Sequence, residues 1–216
     1  TGDLSLENNG GFVSIFARDG WFDWSAYDGV EVVLAGAGRS IQVTTQRADM
    51  VVRAGGYRAM VPCNQSGDTR VVIPFDAFEL KRFGRAIRGP DLSSGLKRVG
   101  RLGLLMADKR PGPFKVVLKS IKPVRMQAKM KLGAGVRQVL LDAIKVGVPT
   151  FNSGDVKGCA TLYRQALEGL LKQGKLGKDS WALRLAQSAL EKAAKQDRRA
   201  AAWTLRGAMD SLLQSL

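Results

Sequence analysis

The chain has 216 residues, 45% of them hydrophobic, enough to bury a core in one large domain or in two smaller ones. Its 34 Lys and Arg outnumber 19 Asp and Glu, and the net charge of +15 favours anionic partners: an acidic protein surface, nucleic acid or an anionic membrane. The absence of His excludes Ser-His-Asp and Cys-His nucleophiles and imidazole metal ligands, and the two Cys, Cys63 and Cys159, are too far apart for a CxxC zinc site.

Two unpaired cysteines point to a reducing compartment. No apolar run approaches the ~18 residues of a membrane-spanning helix. The chain opens on Thr1 with no initiator Met, and is read as the processed part of a longer precursor.

From residue 12 to 124, short apolar runs rich in β-branched residues are broken by Gly, Pro, Asn and Asp, which predicts an all-β domain. Strands are expected over 12–16, 30–34, 41–45, 57–61, 70–73, 102–106 and 114–121, packed as a β-sandwich or jelly roll. Pro74 should end a strand, with Phe75 and Phe78 packing beneath the sheets. Asp108, Lys109, Pro111 and Gly112 read as the turn of a hairpin between the last two strands.

Residues 81–101 are the densest cationic stretch, carrying Lys81, Arg82, Arg85, Arg88, Lys97, Arg98 and Arg101 against the single acid Asp91. Gly84, Gly89, Pro90 and Gly95 suggest that this stretch is a long, functional loop. An aromatic cluster, Trp21, Phe22, Trp24 and Tyr27, lies between two expected strands. It is read either as core or as a surface that anchors a partner or stacks on a base or sugar, with Arg18 and the cationic stretch adding anion contacts.

After residue 122 the period changes. Val136, Val139, Leu140, Ala143 and Ile144 fall on one helical face, and a loop is expected over 147–154 around Pro149. Asp155, Ser180 and Asp197 are N-cap candidates for three further helices. Their inward residues are expected to be Leu162, Ala166 and Leu170 with Tyr163 and Leu167, then Ala182, Leu185, Ala186, Ala189 and Leu190, then Ala202, Leu205, Met209, Leu212 and Leu213. The expected fold is therefore multidomain α+β: a jelly-roll domain over 1–124, a basic linker over 125–135 and a four-helix domain over 136–216.

The β half resembles the complex I intermediate-associated protein family, a galactose-binding-like jelly roll. The matching stretches are LSLENNGGF at 4–12, WSAYDGV at 24–30, GAGR at 36–39, YRA at 57–59, IPFDAF at 73–78 and LGLLMADKRPGPF at 102–114. The sequence departs from the family in starting after its first Gly-rich strand, in carrying Ala37 where an acid is usual, and in having SGDTR at 66–70 where a Trp commonly precedes the IPF strand. The resemblance implies scaffolding and binding rather than a reaction. It implies an assembly factor or structural linker of a large, membrane-associated bioenergetic complex, respiratory or photosynthetic, in a mitochondrion or plastid.

Other motifs carry plainer readings. GLLKQGKL at 169–176 lacks the Ser or Thr and the preceding strand of a phosphate loop, so Gly174 and Gly177 are expected to terminate a helix. GAGRSI at 36–41 lacks the third glycine of a dinucleotide site. Asn64, Gln65 and Ser66 spell a sequon that would matter only in a secreted protein. Cys159 is either a buried apolar thiol or one activated by a helix N-terminus. Asp76 and Asp108 sit in expected turns, and nothing places two carboxylates across a cleft for glycoside chemistry.

No enzyme activity, cofactor or metal is expected. Partner contact is assigned to Lys81, Arg82, Arg85, Arg88, Lys97, Arg98, Arg101, Trp21 and Trp24. RNA binding is the leading alternative, and a carbohydrate-binding module a weaker one.

Overall fold

A computed structural model describes the chain except for residues 19, 37, 51, 54, 64–66, 127–134, 179 and 216, and the side chain of residue 214. The residues group into two compact units, Thr1–Gln127 and Ala128–Leu216. The first is a β-sandwich; the second holds four helices. Most of the linker expected over 125–135 lies outside the described residues, as does the sequon at 64–66.

The larger sheet contains β2 (Val13–Phe16), β3 (Trp21–Phe22), β5 (Ile41–Arg47), β6 (Gly55–Val61), β8 (Glu79–Arg82), β9 (Arg85–Ala86) and β10 (Val99–Met106). Its order is β2-β10-β5-β6-β8-β9, with β3 alongside β2 on the same edge of β10. The opposing sheet has β4 (Gly29–Ala35) between β7 (Thr69–Pro74) and β12 (Val117–Val124). A short ladder pairs β1 (Gly2–Leu4) with β11 (Gly112–Phe114). All pairings are antiparallel.

Alternation along the strands decides what is buried. Ile41, Val43, Tyr57, Ala59, Val61, Val99, Leu104 and Met106 turn inward from the larger sheet to meet Val30, Val32, Leu34, Val71 and Ile73 of the smaller. Pro74 ends β7 as expected, and the 3-10 turn Phe75–Ala77 that follows drops Phe75 into the core. There Trp24 stacks on Phe75 with ring centroids 5.6 Å apart, and on Phe22 at 6.5 Å. Two of the motifs that carried the resemblance, WSAYDGV and IPFDAF, thus meet as one aromatic stack.

Two others meet as an ion pair. Arg39 of the GAGR turn donates Nε to Asp108 Oδ2 at 2.8 Å and Nη2 to Oδ1 at 2.9 Å, and also reaches the Arg110 carbonyl at 2.8 Å. The Asp108 side chain is only 3% exposed. Burial pushes its carboxyl upward, but the Arg39 hydrogen bonds and charge, with the Ser40 and Arg110 N–H groups, outweigh this and hold it below the usual carboxylate range.

Three loop expectations are corrected. Residues 81–101 are not one long loop: β8 and β9 form a hairpin whose two tip residues, Phe83 and Gly84, both have positive φ, the geometry of a primed two-residue turn. A 3-10 turn at Leu92–Gly95 follows, and β10 begins at Val99. The turn at 108–112 does not close a hairpin, because β10 and β11 belong to different sheets; Asp108 anchors the crossing segment. The loop expected over 147–154 is mostly helix: α1 (Val136–Asn152) runs through Pro149. Packing overrides the local signal there, since Tyr163 lies so close to Gly147 that a Cβ would sit 2.3 Å from its ring.

In the helical unit, Asp155 accepts from Gly158 N–H to cap α2 (Val156–Lys172), Ser180 from Leu183 N–H to cap α3 (Trp181–Ala193), and Asp197 from Arg199 and Ala200 N–H to cap α4 (Arg198–Gln214). The buried line of α2 is Cys159, Tyr163, Leu167 and Leu170, with Leu162 and Ala166 only half-buried. The stretch 169–176 closes α2 as a Schellman turn: Lys175 N–H bonds the Leu170 carbonyl and Gly174 N–H that of Leu171, with Leu176 fully buried. No helix among the described residues is long and apolar enough to cross a membrane.

Candidate functional site

Residues paired across antiparallel strands share a face. The register therefore sets Phe16 beside Gly103, Trp21 beside Gly100, Gly103 beside Thr44, Gly100 beside Gln46 and Thr44 beside Arg58, all on the outer face of the larger sheet. At two of these positions a glycine is required. A Cβ on Gly100 would stand 2.7 Å from the Trp21 ring, and one on Gly103 2.7 Å from the Phe16 ring. Each aromatic ring therefore lies down on bare backbone at the β10 edge.

An arginine covers each ring. The Arg98 guanidinium stands 5.7 Å from the Trp21 centroid and that of Arg101 5.6 Å from the Phe16 centroid. A bulge between Gly100 and Gly103 aims the second: Arg101 and Leu102 together oppose Thr45, Arg101 takes a left-handed φ of 49°, and Thr45 Oγ1 donates to the Gly100 carbonyl at 2.8 Å. Trp21 is 43% exposed. The result is two preformed guanidinium-on-aromatic stacks at one edge of the sheet.

The same edge is apolar. Phe12 is exposed, and Ile15, although it shares the inward face with Leu104, is 70% exposed because the opposing sheet is narrower than its partner. The outer edge of β2 has no pairing among the described residues. Deeper on the face, Gln42 Oε1, Gln46 Oε1 and Arg58 Nε are buried with no hydrogen-bond partner among the described residues. Burial alone pulls the Arg58 guanidinium below its ordinary pKa. A depression of about 530 Å³ adjoins Arg98, lined by Ser25, Asp49, Ser93, Ser94, Leu96 and Lys97. Arg47 underlies this region, holding Asp49 and donating to the Asp91 carbonyl and Ser94 Oγ.

The expected contact residues are divided by the fold. Arg98, Arg101 and Trp21 come together. Lys81 lies on the same face but three strands away, about 14 Å at ordinary strand spacing, in an ion pair with Glu79. Arg82 and Arg85 pair across the β8–β9 hairpin, and Arg88 and Lys97 are exposed. Trp24 is in the core, 3% exposed, and cannot meet a partner there. Sequence reasoning missed Phe16, Arg58, Gln42 and Gln46; strand alternation marks which residues of one strand share a face, but only the pairing of β10 with β2, β3 and β5, and of β5 with β6, joins them to Trp21. Cys159 is buried and its thiol is pushed up by that burial, the inert state of a packed cysteine.

Among the described residues no group of three His, Cys, Asp or Glu could hold a metal ion. The fold and face together are a β-sandwich with an open aromatic and cationic edge. Residues 1–118, more than half of the chain, match the family of complex I intermediate-associated protein 30 (CIA30), and the chain belongs to that family. The match does not extend into the helical unit. No curated protein matches the chain.

Proposed function

We propose that this protein is a non-enzymatic scaffold that binds acidic protein surfaces, acting as an assembly factor or structural linker of a large organellar bioenergetic complex. The family name directs the reading to intermediates of complex I in the mitochondrion, and carries nothing toward a photosynthetic complex in a plastid. The observation that supports it best is the pair of guanidinium-on-aromatic stacks, Arg98 on Trp21 and Arg101 on Phe16. Arginine and large aromatics are the residues that most often carry binding energy at protein interfaces, and a stacked guanidinium keeps its N–H groups for a partner carboxylate. Lys81, Arg82, Arg85, Arg88 and Lys97 extend the positive field and steer association.

RNA binding keeps one favourable observation, the exposure of Trp21 beside Arg98. Yet the Trp21 ring already rests on Gly100 and carries Arg98, so a base must displace a guanidinium to stack on it. Native size fractionation of an organelle extract, with and without RNase, separates the two readings. Migration with a large membrane complex that survives RNase supports the scaffold; collapse to a small species only after RNase supports RNA binding.

A further inference from the structure

The helical unit carries an independent feature. Near the end of α1, beside α2 and α4, a small cavity of about 110 Å³ is lined by Val148, Phe151, Cys159, Tyr163, Trp203 and Arg206. Its rim is aromatic: Phe151 and Trp203 meet edge to face with centroids 5.5 Å apart, and Trp203 is 62% exposed. Helix α4 buries Ala201, Ala202, Leu205 and Met209, so Trp203 stands off the packed face of its own helix. A tryptophan left that exposed beside an apolar hollow forgoes burial a core position would supply.

The rim is also cationic. The Arg199 guanidinium stands 5.2 Å from the Phe151 centroid and forms no ion pair among the described residues. Arg206 is different: its Nε donates to Asp210 Oδ1 at 2.8 Å, so its charge is already met. Arg199 thus stands outside the lining of the hollow as a cation poised on its Phe151 rim, while the arginine within the lining, Arg206, is neutralised.

Size selects the kind of occupant. Pockets for small molecules commonly enclose about 300–1,000 Å³, whereas a cavity of about 150 Å³ takes a guest the size of benzene. A hollow of 110 Å³ takes one side-chain tip. We infer that it is a docking notch for a partner protein segment that inserts a single bulky apolar side chain into the hollow beside the Phe151–Trp203 pair and sets a carboxylate against Arg199. The occupant is an acidic segment with one Leu, Ile, Met or Phe anchor, bound in the manner of a hot spot enclosed by a rim. This stands apart from the sheet-face reading, since it uses other residues in the other unit.

The test is display selection of random peptides about twelve residues long against the full chain, with Trp203→Ala and Arg199→Glu variants as counter-targets. Both positions are exposed, and unchanged helical circular dichroism shows that the variants remain folded. The expected result is enrichment of peptides with one bulky apolar residue and an Asp or Glu within about four positions. Their synthetic forms should lose affinity at least tenfold on Trp203→Ala, and a comparable amount on Arg199→Glu that is recovered by Arg199→Lys. Failure to enrich such peptides, or equal binding to Trp203→Ala, overturns the inference. Neither outcome bears on Arg98 and Arg101, whose variants are measured separately.

Discussion

Trp21 and Trp24 are three residues apart and end on opposite sides of the same sheet. Trp24 is sealed in the core between Phe22 and Phe75, where its area stabilises the sandwich. Trp21 lies on Gly100 at the outer edge, covered by Arg98 and still wet on its rim. The difference is set by the short pairing of β3 with β10, which puts Phe22 beside the buried Val99 and Trp21 beside Gly100. One aromatic cluster in sequence is thus divided between the core and the exposed outer face.

That division is tested first by stability. Trp24→Ala should cost about 3–5 kcal/mol in chemical denaturation, the range for emptying a large aromatic from a core. A loss under about 1 kcal/mol would mean that Trp24 is not the keystone described. Asp108→Ala should cost about 3 kcal/mol, because it leaves the Arg39 guanidinium buried without its carboxylate.

The pH dependence follows from the depressed Asp108 pKa. The carboxylate's contribution is present above the unfolded value near 4 and is lost as pH falls through the lower folded value. Asp108→Asn should therefore differ most from the parent at neutral pH, with the two melting curves converging in acid. Parallel curves at all pH values would show that the ion pair is not the source.

At the outer face the expected pattern reverses. Trp21→Ala should change stability by less than about 1 kcal/mol while weakening partner binding at least tenfold, read by pull-down titration beside a thermal melt. Gly103→Ala should do both in part: its Cβ would meet the Ile15 carbonyl at 2.4 Å and the Phe16 ring at 2.7 Å. About 1–3 kcal/mol of destabilisation is expected, with Phe16 lifted from beneath Arg101. Asp197→Ala, which only uncaps α4, should cost about 1 kcal/mol and leave the sheet face untouched.

Much of the fold was legible in the sequence. Short β-branched apolar runs between turn residues located β4, β5, β6 and β7, and all three helix caps could be read from Asp155, Ser180 and Asp197, because an N-cap is a local contact between a side chain and the next turn. What escaped was non-local. Gly147 looks like a loop residue until Tyr163 is packed on it, and the turn at 108–112 looks like a hairpin until its flanking strands join different sheets. For the site, charge density pointed to residues 81–101 as one surface. Strand order instead divides it, taking Arg98 and Arg101 to one edge and Lys81, Arg82 and Arg85 to the other. Phe16 and Arg58 could not be assigned until the β10 register placed them on the face of Trp21.

The most direct measurement is co-purification of complex I assembly intermediates with the Arg98→Glu/Arg101→Glu double variant, set against the parent at physiological salt and after RNase. Both side chains are exposed, so the melt should stay close to that of the parent. Association should fall at least tenfold, since charge reversal repels an acidic partner as well as removing both stacks. A double variant that melts like the parent and still co-purifies in full would contradict the assignment of the outer face as the partner surface.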